Sequence, residues 1–396
     1  NGDLSKTEIV WFYPASMTQN RFNKFKAEWE NTFATLFGAP ISNIIAASES
    51  VAPYYYHKAK KGATSTVVSV DIGGGTTDVL IVDKGEPKYL TSFRFAANTI
   101  FGDGYSYDSD SNGFVNKYKD IITNQLETNN LRGLKAVLKS VLDKRVSTDV
   151  IAFLFSLASN KEIKKEKVEI NFAKMLADDN RGKYVVILFY VAIVYHIAKL
   201  MKAKGFDMPR HMTFSGNGSK VLNILSTNDA TLVRLTKIIF EEIYAQSYSI
   251  DGLDIIRPAN SKESTCKGGI ILTPFQSQDY GEIKDMKTIL IGTDNEKFAD
   301  VHMTYNDVTE ADLDSVVDVI KEYIEFTFKL DKKFSFYDNF DVDRSIMNKV
   351  KDLCYRDIRT YLENGLAIKK SEIAQDGADD NLEETLFFYP LVGIIN

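Results

Sequence analysis

The chain has 396 residues, of which 44% are hydrophobic and 26% are charged, a composition typical of globular proteins with two or three domains. A net charge of −6 and the lack of a basic-aromatic array argue against a general nucleic-acid-binding protein. The two cysteines suit neither a disulfide framework nor a metal site, which predicts a reducing compartment and a cytoplasmic protein. No signal peptide or initiator methionine precedes Asn1, so the sequence is expected to be a processed or excised part of a longer protein.

The N-terminal part predicts alternating strands and helices. Residues 8–13 form a β-prone run, and aromatic residues at helical spacing follow it over residues 19–37. A Gly-Ala-Pro sequence at 38–40 ends this helix. A second strand over 41–46 and a short helix over 48–60 complete a β-α-β-α order.

A glycine-rich hairpin follows, and the rest of the chain is organised around it. The β-branched run at 66–72 predicts a buried strand, and the runs at 79–82 and 88–94 predict two more. Three consecutive glycines separate the first strand from the second. Glycines in such a place permit a sharp bend or the close approach of a ligand to the backbone. A plain glycine-rich turn without a ligand is the alternative interpretation.

The residues of this hairpin suit a phosphate. Successive peptide N–H groups in a bend form a concave anion-binding nest, and two threonine hydroxyls add donors. Asp71 ends the first strand beside the bend, where its carboxylate can hold a hydrated cation against a phosphate. The predicted phosphate-binding residues are Gly73, Gly74, Gly75, Thr76 and Thr77.

The stretch is not a Walker loop, because no Gly-Lys-Ser/Thr follows, and it is not a dinucleotide fingerprint, because a strand follows it. Its strand–Gly-Gly-Gly-Thr–strand form resembles the second phosphate-binding loop of the superfamily of actin, the sugar kinases and the seventy-kilodalton heat-shock chaperones. The resemblance implies an α/β fold of actin-like, RNase H-like ATPase lobes that close on Mg²⁺-ATP. Asp71 would then be the metal-water ligand or the base, in a reaction where positioning and charge neutralisation do most of the work.

Two segments before the hairpin extend the resemblance. The Tyr-Pro-Ala at 13–15, with Arg21 after it, is similar to chaperone residues that relay nucleotide state across the domain. The Ala-Ser-Glu-Ser-Val-Ala at 47–52 is similar to the chaperones' Asn-Glu-Pro-Thr-Ala-Ala. The resemblance implies that Glu49 is a catalytic residue that orients the attacking water. By position alone, an acid favoured by the dipole of a helix N-terminus is the alternative.

Residues 211–222, HMTFSGNGSKVL, resemble the family's adenosine loop, an apolar strand followed by Gly-Gly-Ser/Thr and a helix. The resemblance implies that the backbone of this turn lies against the purine and the ribose. Asn217 stands where the family has a second glycine, which narrows the room for the base. A chance strand–turn–helix is the alternative. The predicted nucleoside-binding residues are Gly216, Asn217, Gly218 and Ser219.

A fourth match lies at 257–272, which resembles the helix after the family's last strand, where glycines let the helix cross closely over the hinge. The resemblance therefore covers about residues 7–272. The resulting domains are a partial first lobe (1–62), the core of a complete second lobe (63–104 and 205–273), an inserted helical subdomain (105–204) and a mainly helical C-terminal extension (274–396).

Helical patterns occur at 114–127, 131–142, 150–158, 172–179, 231–244, 309–330 and 342–364. Gly365 is predicted to end the last of these helices, and the acidic stretch 375–384 is predicted to be mobile. The charge run at 161–169 is predicted to be a solvated surface. The apolar run at 184–201 approaches membrane-spanning length, but its lysine flanks predict a buried core helix and no membrane span.

The leading hypothesis is an actin-like module whose nucleotide state, ATP or ADP with Mg²⁺, controls conformation or assembly. The family's first phosphate loop, Asp-x-Gly-Thr-x-x-Ser/Thr, does not occur in the sequence. We therefore expect weak nucleotide binding and little or no hydrolysis, with ATPase activity only if the full protein supplies that loop. The alternatives are a non-catalytic scaffold of the same fold and a small-molecule kinase. A protein partner is expected to bind the C-terminal helices, or the chain to self-assemble.

Overall fold

The computed structural model describes residues 3, 6–13, 19–61, 66–106, 108–249, 252–258, 261–272, 288–291, 297–298, 303–376, 382 and 384–396. The architecture is mixed α/β. The strands are β1 (Ile9–Tyr13), β2 (Ile44–Ser48), β3 (Val67–Ile72), β4 (Thr77–Asp83), β5 (Glu86–Phe93), β6 (His211–Ser215), β7 (Asp254–Ile256), β8 (Thr288–Leu290) and β9 (Lys297–Phe298).

The helices alternate with these strands and then dominate the later part of the chain. They are α1 (Gln19–Phe37), α2 (Ala52–Lys61), α3 (Ala97–Phe101), α4 (Gly113–Thr128), α5 (Arg132–Asp143), α6 (Ser147–Ser156), α7 (Lys161–Lys165), α8 (Phe172–Ala177), α9 (Asn180–Ala203), α10 (Leu222–Leu225), α11 (Asp229–Tyr244), α12 (Ser261–Leu272), α13 (Glu310–Phe334), α14 (Phe336–Phe340), α15 (Arg344–Asp376) and α16 (Phe388–Ile395).

A five-stranded sheet in the order β5-β4-β3-β6-β7 forms the centre of the molecule. The β3, β4 and β5 strands form an antiparallel meander, and β6 and β7 join it parallel to β3. Side chains alternate between the two faces of a strand, so Val68 and Val70 face the large core while Val67 faces a second cluster beneath α2. The β1 and β2 strands form a separate parallel pair.

The α9 helix runs through the large core. It is long and apolar enough to cross a membrane, and 89% of its most apolar window is buried inside the protein. The α11 and α13 helices and Phe388 of α16 pack against it. Its apolar surface is therefore covered by the rest of the chain, as the predicted core helix requires.

The α12 helix crosses very closely over α2 and β1. A Cβ atom built on Gly268 would lie 1.8 Å from the carbonyl oxygen of Ala52, and one on Gly269 would lie 2.5 Å from the ring of Phe12. Non-bonded atoms essentially never approach this closely, so a side chain at Gly268 would force α12 away from α2, and one at Gly269 would displace the ring of Phe12. The predicted close crossing by glycines is confirmed.

Several predicted boundaries differ from the structure. The second strand is shifted, because residues 41–43 form a 3₁₀ turn before β2. The charge run at 161–169 includes α7, which buries Ile163 in the core. Gly365 does not end α15, because the helix continues through it. A Cβ there would lie 2.6 Å from the hydroxyl oxygen of Tyr105, so glycine makes room for a neighbouring side chain.

The last residues of the sequence are part of the core rather than an extension beside it. Phe388 of α16 stacks on Phe93, the last residue of β5, and on Phe95 just after it, with ring centroids 4.2 and 4.6 Å apart. Glu384, in a stretch predicted to be mobile, is 5% exposed and contacts Arg94. Residues 377–381 and 383 of that stretch lie outside the described residues.

Candidate functional site

The glycine bend closes a tight hairpin between β3 and β4. Ile72 and Thr77 are the last paired residues of the two strands, so residues 73–76 form the bend. The N–H of Gly73 donates to the carbonyl of Thr76 over 2.9 Å, and the two glycines between them are exposed. The tip of the hairpin is therefore bare backbone.

The first residues of α3 set the direction in which the amides of the bend point. The N–H of Ala97 donates to the carbonyl of Gly73 over 3.2 Å, and the N–H of Asn98 donates to the carbonyl of Gly74 over 2.8 Å. In a trans peptide the C=O and the following N–H point in opposite directions, and the described residues contain no cis peptide bond. The N–H groups of Gly74 and Gly75 therefore both point away from α3. Adjacent amides with a common direction at an exposed tip are suited to bind an anion.

The turn after β6 lies directly against this bend. Because β3 and β6 are parallel neighbours, their carboxyl ends meet at the same edge of the sheet. A Cβ built on Gly216 would lie 2.2 Å from the carbonyl oxygen of Ile72, and one on Gly218 would lie 2.2 Å from the carbonyl oxygen of Gly73. Gly216 also has a φ of +80°. The two turns are in backbone contact, and this contact requires glycine at both positions.

The four predicted nucleoside-binding residues differ in exposure. Gly216 and Gly218 are buried by the contact with the bend, whereas Asn217 is exposed. The hydroxyl of Ser219 donates to the carbonyl of Gly216 over 2.8 Å and stabilises the turn. The exposed side of the turn is thus formed by Asn217 and the half-buried Ser219.

Two aspartates flank the bend and face each other across the hairpin. Asp71 of β3 is paired with Asp78 of β4, on the sheet face that α2 covers. The hydroxyl of Ser215 donates to Oδ2 of Asp71 over 3.0 Å. Asp78 is only 2% exposed and accepts a hydrogen bond from the hydroxyl of Ser92. One carboxylate is therefore half-open to solvent, and the other is enclosed.

Burial is the main reason that the pKa of Asp78 is raised to about 7. The negative charges of Glu49 and Asp71 add to the increase in the pKa, and the hydrogen bond from Ser92 opposes it. The carboxyl group of Asp78 therefore takes up and releases a proton near neutral pH.

Glu49 lies near the two aspartates of the hairpin, on the turn that follows β2. It follows β2, and its N–H donates to the carbonyl of Tyr13 over 3.1 Å, which ties this turn to the end of β1. Its charge acts on Asp78, so the structure brings Glu49 close to the aspartates of the hairpin. Pro14 and Ala15, and the side chain of Arg21, lie outside the described residues.

Thr77 is the predicted donor whose side chain does not face the bend. It is the first residue of β4 and is fully buried, and its hydroxyl donates to the carbonyl of Phe95 over 2.6 Å. Because strand side chains alternate, Thr77 faces the large core while Asp78 faces α2. The prediction that the Thr77 hydroxyl is a phosphate donor is therefore corrected, whereas Thr76 lies half-buried in the bend itself.

The sequence reasoning missed two residues at this site. Asp78 is seven positions after Asp71, and a four-residue bend between paired strands places such residues opposite each other, so the signal was present. Asn98 is exposed beside Gly74, where a Cβ would lie 3.5 Å from its side-chain oxygen. Nothing local in the sequence connects Asn98 to the bend, because β4 and β5 separate them.

A metal ion at this sheet edge would have few protein side chains as ligands. Among the residues that the structure describes, no group of three or more His, Cys, Asp and Glu side chains is arranged to hold a metal ion. Mg²⁺ commonly keeps several waters and uses one or two carboxylates together with substrate phosphates. Asp71, half-open beside the bend, fits that donor set only in the presence of a phosphate ligand.

Comparisons with known proteins give limited information. No protein-family model matches the sequence, and a search of curated proteins finds no match. Among solved structures, the chain is similar to the ethanolamine utilization protein EutJ from Carboxydothermus hydrogenoformans, with 12% sequence identity and a TM-score of 0.30. The match covers 67% of this chain and 65% of that chain, so this chain spans just under two thirds of EutJ. A likeness of this size carries no argument about function, which rests on the site itself.

Proposed function

We propose that this chain is an actin-like module that binds Mg²⁺-ATP or ADP at the edge shared by the glycine bend and the 216–219 turn. The observation that carries the proposal is the backbone contact between these two turns. The Asp71 carboxylate lies beside both, since its Oδ1 is 2.4 Å from the position that a Gly216 Cβ would occupy. A phosphate on the bend and a nucleoside on the turn would then be neighbours. Nucleotide state would control conformation or assembly.

The glycines of the bend support a ligand role. Gly74 and Gly75 are exposed, and neither has the left-handed φ that favours glycine. A Cβ on Gly75 would meet nothing within 4 Å. The described chain therefore gives no internal reason for glycine at the tip, whereas the close approach of a phosphate to the backbone does. The proposed donors are the N–H groups of Gly74, Gly75 and Thr76.

The carboxylates would divide the remaining roles. Asp71 would hold Mg²⁺ through a water molecule, and the ion would supply charge neutralisation for the phosphates. Glu49 would orient a water molecule towards the phosphate. Asp78 would keep a proton near neutral pH and so limit the negative charge that a polyphosphate meets at this edge.

The test is equilibrium binding of ATP and ADP to the Asp71→Asn variant, with and without Mg²⁺. We expect ~10-fold weaker binding in Mg²⁺ and a smaller loss in EDTA, because the carboxylate acts through the ion. Asp83→Asn is the matched control, since Asp83 lies at the opposite end of β4 and accepts a hydrogen bond from Thr66 over 3.0 Å. The two variants binding nucleotide alike in both conditions would refute the proposed role of Asp71.

A non-catalytic scaffold of the same fold is the second candidate. Residues 1–396 contain no Asp-x-Gly-Thr hairpin to face the bend, and a longest natural form that also lacks one would be the scaffold. Steady-state ATP hydrolysis by the longest natural form of the protein separates the two candidates. Nucleotide binding without turnover would identify the scaffold. A partner that binds the C-terminal helices, self-assembly and a cytoplasmic location remain predictions.

A further inference from the structure

Residues 384–396, which we call the strap, are tied to the loop that follows α3. The side-chain amide of Asn396 donates to the carbonyl of Gly102 over 2.7 Å, and its backbone carbonyl accepts from the N–H of Gly113 over 3.3 Å. Gly104 has a φ of +55°, and a Cβ there would lie 2.8 Å from the side-chain oxygen of Asn396. The strap and this loop therefore fit each other without room for a further side chain.

A second set of contacts ties the strap to the end of β5. The backbone N–H of Arg94 donates to Glu384 over 2.7 Å, and its guanidinium group lies 2.6 Å from Glu372 of α15. The hydroxyl of Tyr389 donates to Glu384 over 3.2 Å, and the hydroxyl of Tyr105 donates to the carbonyl of Tyr389. Because Glu384 is almost completely buried, the hydrogen bonds that it accepts from Arg94 and Tyr389 are protected from water.

The α3 helix connects the strap to the glycine bend. It has only five residues, and its first two N–H groups hold the carbonyls of Gly73 and Gly74. Its other end is held by the side-chain amide of Asn112, which donates to the carbonyls of Ile100 and Gly102, and by the strap. Such a short helix has little stability of its own, so its position depends on what holds its two ends.

A cavity of about 330 Å³ separates the strap from the bend. Gly75 and Asn98 line it on the side of the bend, and Lys369, Glu384 and Tyr389 line it on the side of the strap and α15. Residues of the bend and of the strap therefore line the same cavity. Their mechanical connection passes through α3 and through the end of β5.

We propose that the strap is a positioning element for the phosphate-binding bend, and that Asn396 is a positioning residue that acts through α3. This proposal rests on the proposed function. Docking of the strap holds α3, and α3 holds the carbonyls of the bend so that the N–H groups of Gly74 and Gly75 keep a common direction. Nucleotide binding and strap docking are then coupled, and each strengthens the other by the same factor.

The test compares Asn396→Ala with Asn339→Ala in the full chain. Asn339 is a matched control because its side-chain amide also donates to backbone carbonyls, of Phe334 and Ser335, and it lies within α14, outside α3 and the strap. We expect Asn396→Ala alone to speed hydrogen exchange of the Ala97 and Asn98 amides in the nucleotide-free protein, and to weaken ADP binding ~3- to 10-fold. Saturation with ADP should slow exchange of the strap amides in the unmodified protein.

The outcomes separate this inference from the proposed function. If Asn396→Ala matches Asn339→Ala both in exchange at Ala97 and Asn98 and in ADP affinity, the positioning role is refuted. If the unmodified protein binds no nucleotide while Asn396→Ala still speeds exchange at α3, the proposed function fails and the mechanical connection stands. Should Asn396→Ala not fold, Tyr105→Phe removes one strap hydrogen bond with little change in shape, and the same two measurements apply.

Discussion

The glycine bend at 73–76 and the turn at 216–218 meet at one sheet edge, yet they use glycine for opposite reasons. In the turn, a Cβ at Gly216 or Gly218 would lie 2.2 Å from a backbone oxygen of the neighbouring strand end. In the bend, a Cβ at Gly75 would meet nothing within 4 Å. The glycines of the turn are explained by contacts within the chain, whereas at the tip of the bend we propose that a bound phosphate is the reason for glycine.

The aspartates that flank the bend show the same difference. Asp78 is enclosed, hydrogen-bonded to Ser92 and explained by contacts within the sheet. Asp71 is half-open and lies beside the turn, with Ser215 on one oxygen. The site therefore contains residues that hold the sheet edge together and residues that face solvent from it. Residue type alone does not distinguish the two groups, because both turns contain glycine and both flanking acids are aspartates.

The largest effect that this comparison predicts is on stability, at the turn. Gly218→Ala and Gly216→Ala should each lower the free energy of unfolding by ~3 kcal/mol or more, because the added methyl group forces two backbone segments apart. Gly216 also carries the cost of a left-handed backbone. Urea denaturation measures the change, and Gly133→Ala in α5 is the control, since its Cβ would approach nothing closer than 3.9 Å. Turn variants as stable as the control would contradict the contact between the two turns.

Short-range sequence patterns were sufficient to predict the helix and strands that form the site. The aromatic spacing of α1 predicted its bounds, and the β-branched runs around the glycines predicted β3, β4 and β5 because each signal lies within a few residues. Asp71 and the glycines of both turns followed from the same short motifs. Their proximity was implied by the family resemblance and not by local pattern, since it depends on the parallel pairing of β3 with β6 across the inserted helices.

The errors share a physical cause, which is contact between residues far apart in the sequence. Glu384 is buried and accepts a hydrogen bond from Arg94, 290 positions earlier, and no local pattern indicates this long-range contact. Gly365 was predicted to end a helix, but its missing side chain accommodates Tyr105. Thr77 was misplaced for a simpler reason. The strand begins two residues before the predicted start, which turns the Thr77 side chain into the core.

The second prediction concerns the enclosed aspartate. The pKa of Asp78 is raised from the ordinary value of 3.8 to about 7, so the folded protein keeps this proton in a range where the unfolded chain releases it. Stability is therefore lost as pH rises from about 4 to 7 and changes no further above that. Asp78→Asn removes the charge, and we expect it to raise the free energy of unfolding by ~2–4 kcal/mol at pH 8 and by almost nothing at pH 4.

Urea denaturation at several pH values checks this expectation. Asp83→Asn is the matched control, because it makes the same substitution at a half-buried aspartate at the opposite end of β4. A benefit of Asp78→Asn that is equal at pH 4 and pH 8 would show that shape or hydrogen bonding, and not the proton, is responsible.

The smallest effect on stability is expected at the tip of the bend, where one substitution should leave stability almost unchanged and still weaken ADP binding. Gly75→Ala meets open space, and its backbone is not left-handed, so we expect a change of less than ~1 kcal/mol in the free energy of unfolding, in the stabilising direction. ADP affinity should fall ~10-fold in the same variant, because the methyl group occupies the place where a phosphate approaches the amides. Isothermal titration and urea denaturation of one preparation measure both quantities. Unchanged affinity would mean that the tip is a bare turn, and that glycine stands there for a reason that neither the fold nor a phosphate supplies.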